Sequence, residues 1–378
     1  MQNMKNSVFF PLLVLLAVLQ FFLFAPLRIQ PDTATYSNAI ALLIGEDGAP
    51  DRLMRLSKPL GLLLPAVFCK LGFSAVAALV LQQIMALALA FYFAYHTFLS
   101  WSGDKIRAQF GVLCYAACSP IAVYGYAAIT DVLGWAWAWG LLYWATTWLN
   151  RAQISNYAVL AWGACLGLGV FAKESVLVAG IFLFYAVLLS AAWSWQQKIR
   201  LYALSGFAFL SVLAIGLFAT RAAWGYNLLD WFAFNHDDES AIYGANWLRV
   251  YIVQTLRSLD VLWLLLPFGL WAALRNKSLI MYVLLACSAT AFLVYPFVWA
   301  YLTDRIIFMF APFYVYFILA AFRFSNANIY LLACVLLANT AAAYTAYLLA
   351  ISGGLWYIYV AFALALGLIF WRNRPINE

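Results

Sequence analysis

The sequence predicts an all-α integral membrane protein, and three observations carry that reading. Of 378 residues, 67% are hydrophobic and only 9% are charged, and the mean hydropathy is +0.91; soluble domains carry about 25% charged residues. The apolar residues fall in long runs separated by short polar connections. The charges are also sorted by sign between alternate connections, which suits a chain threaded back and forth through a bilayer.

A bilayer-spanning helix needs about 20 apolar residues. Taken in order, the runs predict about twelve transmembrane helices: 8–28, 74–99, 110–127, 132–149, 157–172, 175–194, 202–222, 247–274, 279–301, 306–322, 329–350 and 355–371. The first follows Lys5 as a signal peptide would. It is long enough to span, however, and Phe22-Leu23-Phe24 leads to no small-residue cleavage site, so it reads as a retained helix. Between the first and second spans lies a loop, residues 29–73, with two pieces too short to cross. Thr33 to Gly45 is amphipathic and Pro59 to Gly72 is apolar; both read as interfacial helices. A second long loop, Trp224 to about Trp247, carries the run Asn235 to Glu239. Residues 1–378 read as a single transmembrane domain with no soluble C-terminal domain.

Connections on one face carry Lys5, Lys105, Arg107, Arg151, Lys198, Arg200, Arg275, Lys277, Arg323, Arg372 and Arg374. The positive-inside rule makes that face cytoplasmic, with both termini on it. The opposite face receives Asp32, Glu46, Asp47, Asp51, Asp131, Glu174, Asp230, Asp237, Asp238, Glu239 and Asp304. Chemistry is therefore expected outside the cytoplasm, on a multi-pass protein of the cytoplasmic (inner) membrane. The net charge of +7 comes mostly from these orientation signals, so no nucleic-acid partner is read from it. The six cysteines lie in or beside apolar runs, with no CxxC, and read as packing residues.

The candidate functional residues cluster on the outer face. Asp32, in PDTATY, stands past the first span at the start of an amphipathic segment, where a carboxylate can take a proton from a substrate hydroxyl. The same position suits a helix N-cap, by Asp32 or Thr33. Arg52 and Arg55 are three apart and Lys58 follows; paired guanidinium groups suit phosphate oxygens, though anionic headgroups or nearby aspartates would satisfy them too. Asp131 opens the fourth span after Thr130. Lys173-Glu174, inside an apolar stretch, is costly to place in lipid and should face a wet cavity or a partner. Asp304-Arg305 opens the tenth span; Arg305 stands against the charge bias, at a helix N-terminus that also favours an anion, or it pairs with Asp304 or snorkels. Arg257 and Asp260 should pair on the eighth span. His236 to Glu239 has metal-ligand residue types, so a divalent cation is an open alternative to a solvated loop, and no other cofactor is indicated.

In order, these landmarks resemble an integral-membrane glycosyltransferase of the GT-C class, the group that includes protein O-mannosyltransferases and aminoarabinose transferases. The carrying residues are Asp32 with Tyr36, the Pro-led segment Pro59 to Gly72, Thr130-Asp131, Lys173-Glu174, and Arg305 before Pro312. The resemblance covers about Phe9 to Phe322. It departs from several subfamilies in having Asp32-Thr33 where they pair acidic residues, and in lacking a soluble domain after the last helix, which leaves the acceptor class open. What it implies is a sugar donor on a polyprenyl phosphate or diphosphate, transfer with inversion to an extracytoplasmic hydroxyl or amine of a lipid or envelope glycan, and membrane lipids as surroundings. Asp32 would be the general base. Arg305, Lys173, Arg52, Arg55 and Lys58 would bind phosphate, while Tyr36, Asp131, Glu174 and Asp304 would line the substrate site. The readings set against it are a transporter or flippase of lipid-linked sugars, an envelope-glycan polymerase or ligase, and a non-enzymatic membrane subunit.

Overall fold

The computed structural model describes residues 6–46, 50–149, 151–233, 247–294, 303–320 and 340. Among these the chain is helical, with no strand. The helices are α1 (Asn6–Leu23), α2 (Thr33–Ile44), α3 (Leu60–Lys70), α4 (Ala75–Ser102), α5 (Lys105–Ala117), α6 (Ser119–Tyr124), α7 (Asp131–Trp148), α8 (Asn156–Val170), α9 (Leu177–Leu189), α10 (Trp195–Trp224), α11 (Trp247–Leu259), α12 (Leu266–Arg275), α13 (Leu279–Leu293), α14 (Asp304–Ile307) and α15 (Ala311–Ala320).

Local chemistry sets many of the boundaries. Ser74 caps α4, its Oγ accepting from the Ala77 N–H, and Gly103 ends that helix at φ +65°, a conformation that costs glycine nothing. Asp104 caps α5, and Ser155 and Ser278 cap α8 and α13. Ser194 and Gln197 form a reciprocal capping box at the start of α10.

Two expected spans are broken. The run 110–127 divides at Cys118, whose backbone is extended, and resumes as α6 with Pro120 in its first turn. The run 247–274 becomes α11, a 3-10 turn over Asp260–Leu265, and α12 with Pro267 in its first turn; the two arms meet at 103°. In both places the proline lacks the N–H that a continuous helix would use. α4 and α10 are long and apolar enough to cross a membrane, and a third span is reached if the bent α11–α12 pair is one. The described residues therefore do not establish twelve spans. The expected spans 329–350 and 355–371 lie outside the described residues, apart from Thr340. α8 is short because its chain leaves the helix after Val170 to form a turn that carries Lys173 and Glu174.

Aromatic packing fills the bundle. Trp101 stacks on Phe182 at 5.6 Å, and Phe98, Trp139 and Tyr316 surround it. The Tyr316 hydroxyl donates to the Trp101 carbonyl at 2.6 Å. A separate core holds the first loop to one end of the bundle: Tyr36, Ala39 and Ile40 of α2, Leu56, and Leu62 and Ala66 of α3 pack with Leu79 of α4 and Ala127 to Ile129. The amphipathic face expected over 33–45 is thus buried against protein.

Backbone contacts fix this layer further. The Ala128 N–H donates to the Arg28 carbonyl and the Leu60 N–H to the Phe171 carbonyl. Gln82 donates to the Gly61 carbonyl at 3.0 Å. Gly61 itself permits the approach: a Cβ there would lie 3.1 Å from the Ala172 carbonyl oxygen. Connections 28–32, 125–131, 171–176 and 303–305 consequently meet beneath α2 and α3. The basic connections around Arg151 and Arg200 meet at the opposite end, where the Arg200 guanidinium donates to the Ile154 carbonyl and the Trp193 indole to the Arg151 carbonyl.

Candidate active site

Asp32 occupies the N-cap position of α2, but its side chain makes no capping bond. Its carbonyl does the local work, accepting from the Thr35 hydroxyl at 2.7 Å and the Tyr36 N–H at 3.1 Å. Thr33 does not cap either; its hydroxyl accepts from the Gln30 N–H. The Asp32 carboxylate is left free for long-range partners. Arg55 approaches Oδ1 at 2.9 Å and Arg305 approaches Oδ2 at 2.8 Å. One acid from the first loop thus lies between an arginine of that loop and an arginine from the far end of the sequence.

Each arginine has a second attachment. The Arg55 Nε donates to the Thr35 hydroxyl at 3.1 Å and its terminal nitrogen to the Tyr36 hydroxyl at 3.2 Å, with the guanidinium over the Tyr36 ring. Arg305 also faces Asp131, at 3.8 Å. Neither the Asp304 pairing nor the snorkelling set against an anion-binding role describes Arg305. Asp304 instead accepts from the Arg305 backbone N–H at 2.8 Å and from the Tyr124 hydroxyl at 3.4 Å.

Deeper in, charges are paired away from water. Lys173 lies 3.0 Å from the Asp131 Oδ1, with the side chains only 9% and 2% exposed. Glu174, the next residue, turns the other way and pairs with Lys58, whose ammonium also rests on the Trp231 ring at 3.2 Å. A buried ion pair persists only where geometry compensates the lost hydration. Here the 3-10 turn Glu174–Val176 supplies that geometry: Lys173 is extended at its N-cap, so adjacent side chains point to opposite partners.

Protonation follows from these placements. Burial pushes the Asp32 carboxyl up, but the charges of Arg55 and Arg305 outweigh it and hold the group below its ordinary value. Burial likewise raises Glu174, and Lys58 and Lys173 overcome it. Lys58 goes the other way: loss of water around the ammonium pulls it down to about 7, and Glu174 offsets only part of the loss. Lys173 is held above its ordinary value because Asp131 outweighs its burial.

Of the sequence-derived candidates, Asp32, Tyr36, Arg55, Lys58, Asp131, Lys173, Glu174, Asp304 and Arg305 come together at this one end. His236 to Glu239 and the side chains of Arg52 and of Asp260, the proposed partner of Arg257, lie outside the described residues. Among the described residues no group of three or more metal-ligating side chains forms. Sequence reading missed Thr35, which steadies Arg55; Trp231, which carries Lys58; and Gly134. The last has no charge to betray it. A Cβ at Gly134 would stand 2.4 Å from both the Lys173 Cβ and the Ser175 Oγ. Its one signal is its place three residues after Asp131, on the same face of α7.

No protein-family model and no curated protein matches the chain. Solved structures do match. ArnT from Cupriavidus metallidurans bound to undecaprenyl phosphate is similar at a TM-score of 0.65 and 14% identity, over 95% of this chain and 72% of that one. The same protein in the apo state gives 0.64 and 15%, over 97% and 70%. The archaeal oligosaccharyltransferase AglB from Archaeoglobus fulgidus, in complex with an inhibitory peptide and a dolichol-phosphate, gives 0.53 and 14%, over 97% of this chain and 55% of that one. At such identities the likeness is one of fold. These neighbours are GT-C glycosyltransferases, so the fold expected from the order of sequence landmarks is the fold found.

Proposed function

We propose that this protein is a membrane glycosyltransferase that moves a sugar from a polyprenyl-phosphate or diphosphate donor to an acceptor hydroxyl or amine outside the cytoplasm, with inversion and with Asp32 as general base. The observation that carries the reading is the arrangement around Asp32. A partly exposed carboxylate stands between two guanidinium groups, at 2.9 and 2.8 Å. Breaking the bond between a sugar and a phosphate leaves negative charge on the phosphate and positive charge on the sugar, and the acceptor loses a proton. That reaction asks for a base and fixed cations side by side.

Arg55 and Arg305 are the cations best placed for the departing phosphate, since their side chains keep 21% and 16% of their exposure. Lys58 and Lys173 are more enclosed and act from behind. Asp131 sets Arg305, and Tyr36 sets Arg55. The fold supports the donor class, because ArnT was solved with undecaprenyl phosphate and AglB with a dolichol-phosphate. The site would face the outside of the cytoplasmic membrane, with the acceptor a lipid or envelope glycan.

The test is transfer in reconstituted membranes supplied with a polyprenyl-phosphate-linked sugar, comparing wild type with Asp32→Asn. A positioned general base contributes about 100- to 10,000-fold, so the variant should lose transfer to that extent while expressing normally. Turnover retained by Asp32→Asn would remove Asp32 from the mechanism.

A further inference from the structure

The position of Asp32 raises a difficulty that its proposed role must meet. A carboxylate that accepts a charge-assisted hydrogen bond from Arg305 and stands in an ion pair with Arg55 gives up basicity to both cations. While Arg55 and Arg305 hold it, Asp32 is poorly placed to take a proton. For the base to work, at least one arginine has to let go.

The geometry indicates what would make it let go. The two guanidinium groups bridge one O–C–O unit, each taking a separate oxygen. Carboxylate and phosphate oxygens are both matched by the same guanidinium fork. Neither arginine depends on Asp32 for its place. Arg55 keeps Thr35 and Tyr36, and Arg305 keeps Asp131. If Asp32 swung aside, the two forks would remain aimed at one point, ready for another anion.

Charge balance argues the same way. Among the described residues, four acids, Asp32, Asp131, Glu174 and Asp304, stand among four basic side chains, Arg55, Lys58, Lys173 and Arg305. An arriving phosphate adds negative charge to a nearly dry cluster, and it fits best if one resident carboxylate gives way. Asp32 has the most exposed carboxylate of the paired acids here, at 25% against 7% for Glu174 and 2% for Asp131. It is the one that can move toward water at least cost.

We propose that the Asp32 carboxylate is an internal stand-in for the donor phosphate: it occupies the Arg55–Arg305 clamp when the site is empty, and a lipid phosphate displaces it, which releases the base only when a donor is present. The proposal rests on the function inferred above and adds a control to it. An enzyme built this way keeps its base masked until the phosphate arrives.

The exchange makes an unusual prediction. Neutralising a residue of the site should tighten ligand binding, because it removes the competitor. Undecaprenyl phosphate in lipid nanodiscs, titrated against wild type, Asp32→Asn and Asp32→Ala, is the probe, with inorganic phosphate in a parallel arm. Both variants should bind the lipid phosphate about tenfold more tightly than wild type, a difference on the order of 1.4 kcal/mol. Tightening toward inorganic phosphate as well would place the exchange on the anion itself; tightening toward the lipid alone would tie it to the anchored headgroup. Using two variants guards against a folding defect in either one. Equal or weaker binding by both folded variants overturns the exchange. That result is distinct from failure of the base assignment, which is read from transfer: transfer lost with binding unchanged refutes the exchange alone, and transfer retained refutes the base alone.

Discussion

The Lys173 ammonium lies 3.0 Å from the Asp131 carboxylate, and neither side chain has more than 9% of its surface exposed. Asp131 opens α7 and Lys173 follows α8, so the pair ties the ends of two helices. Through its other oxygen, Asp131 faces Arg305 at 3.8 Å. The pair therefore sets the position of an arginine that contacts Asp32.

Breaking the pair from one side should be worse than removing it whole. Lys173→Met leaves a buried carboxylate whose remaining ion-pair partner is Arg305 at 3.8 Å; breaking a buried pair from one side costs about 3–5 kcal/mol, and Arg305 should hold the loss toward the lower figure. The double variant Lys173→Met, Asp131→Leu removes that charge and should recover part of the loss. Thermal unfolding of wild type, both single variants and the double variant closes the cycle. A double variant no more stable than Lys173→Met would show that the pair is not an isolated unit.

Lys58 gives the site a pH dependence. With its ammonium pulled down to about 7, it is charged below that pH and neutral above it, and the neutral form attracts an anion less. Affinity for a lipid phosphate in wild type should therefore fall, relative to Lys58→Arg, as pH rises from about 6 to 9. Arginine stays charged throughout this range, and the comparison cancels titration of the ligand. A constant affinity ratio across the range would exclude Lys58 as the titrating group.

Gly134 should tolerate no side chain. A Cβ there meets the Lys173 Cβ and the Ser175 Oγ at 2.4 Å, and the turn that aims Lys173 and Glu174 would have to lift. Gly134→Ala should cost about 1–3 kcal/mol of stability, in the range of overpacked cores, and should reduce transfer. Gly206→Ala is the matching control, because nothing lies within 4 Å of its Cβ. There the better helix propensity of alanine should be neutral or add about 0.5–1 kcal/mol. Thermal unfolding and transfer measured together test the contrast, and equal behaviour of the two variants would contradict it.

By itself the sequence determined the class of protein, the elements of the first loop and the roll of candidate residues. Apolar runs and their connections depend on local composition, which a linear reading sees directly. Thr33–Ile44 and Leu60–Lys70 accordingly form helices close to where they were expected. The grouping of Asp32, Asp131, Lys173 and Arg305 was also foreshadowed, since the sequence reading put their connections on one face.

Tertiary structure alone decided who pairs with whom. At Asp32, local sequence favours an N-cap over a carboxylate free for chemistry and leaves both open, and the choice was made by the guanidinium groups of Arg55 and Arg305. At Cys118 and over Asp260–Leu265 the chain bends where hydropathy is continuous, because hydropathy records transfer to lipid and is blind to backbone hydrogen bonding. Gly134 and Trp231 matter through the space they leave or the face they offer to a distant lysine. Such contacts depend on how helices far apart in sequence come to rest against one another, and no single stretch of the chain encodes that.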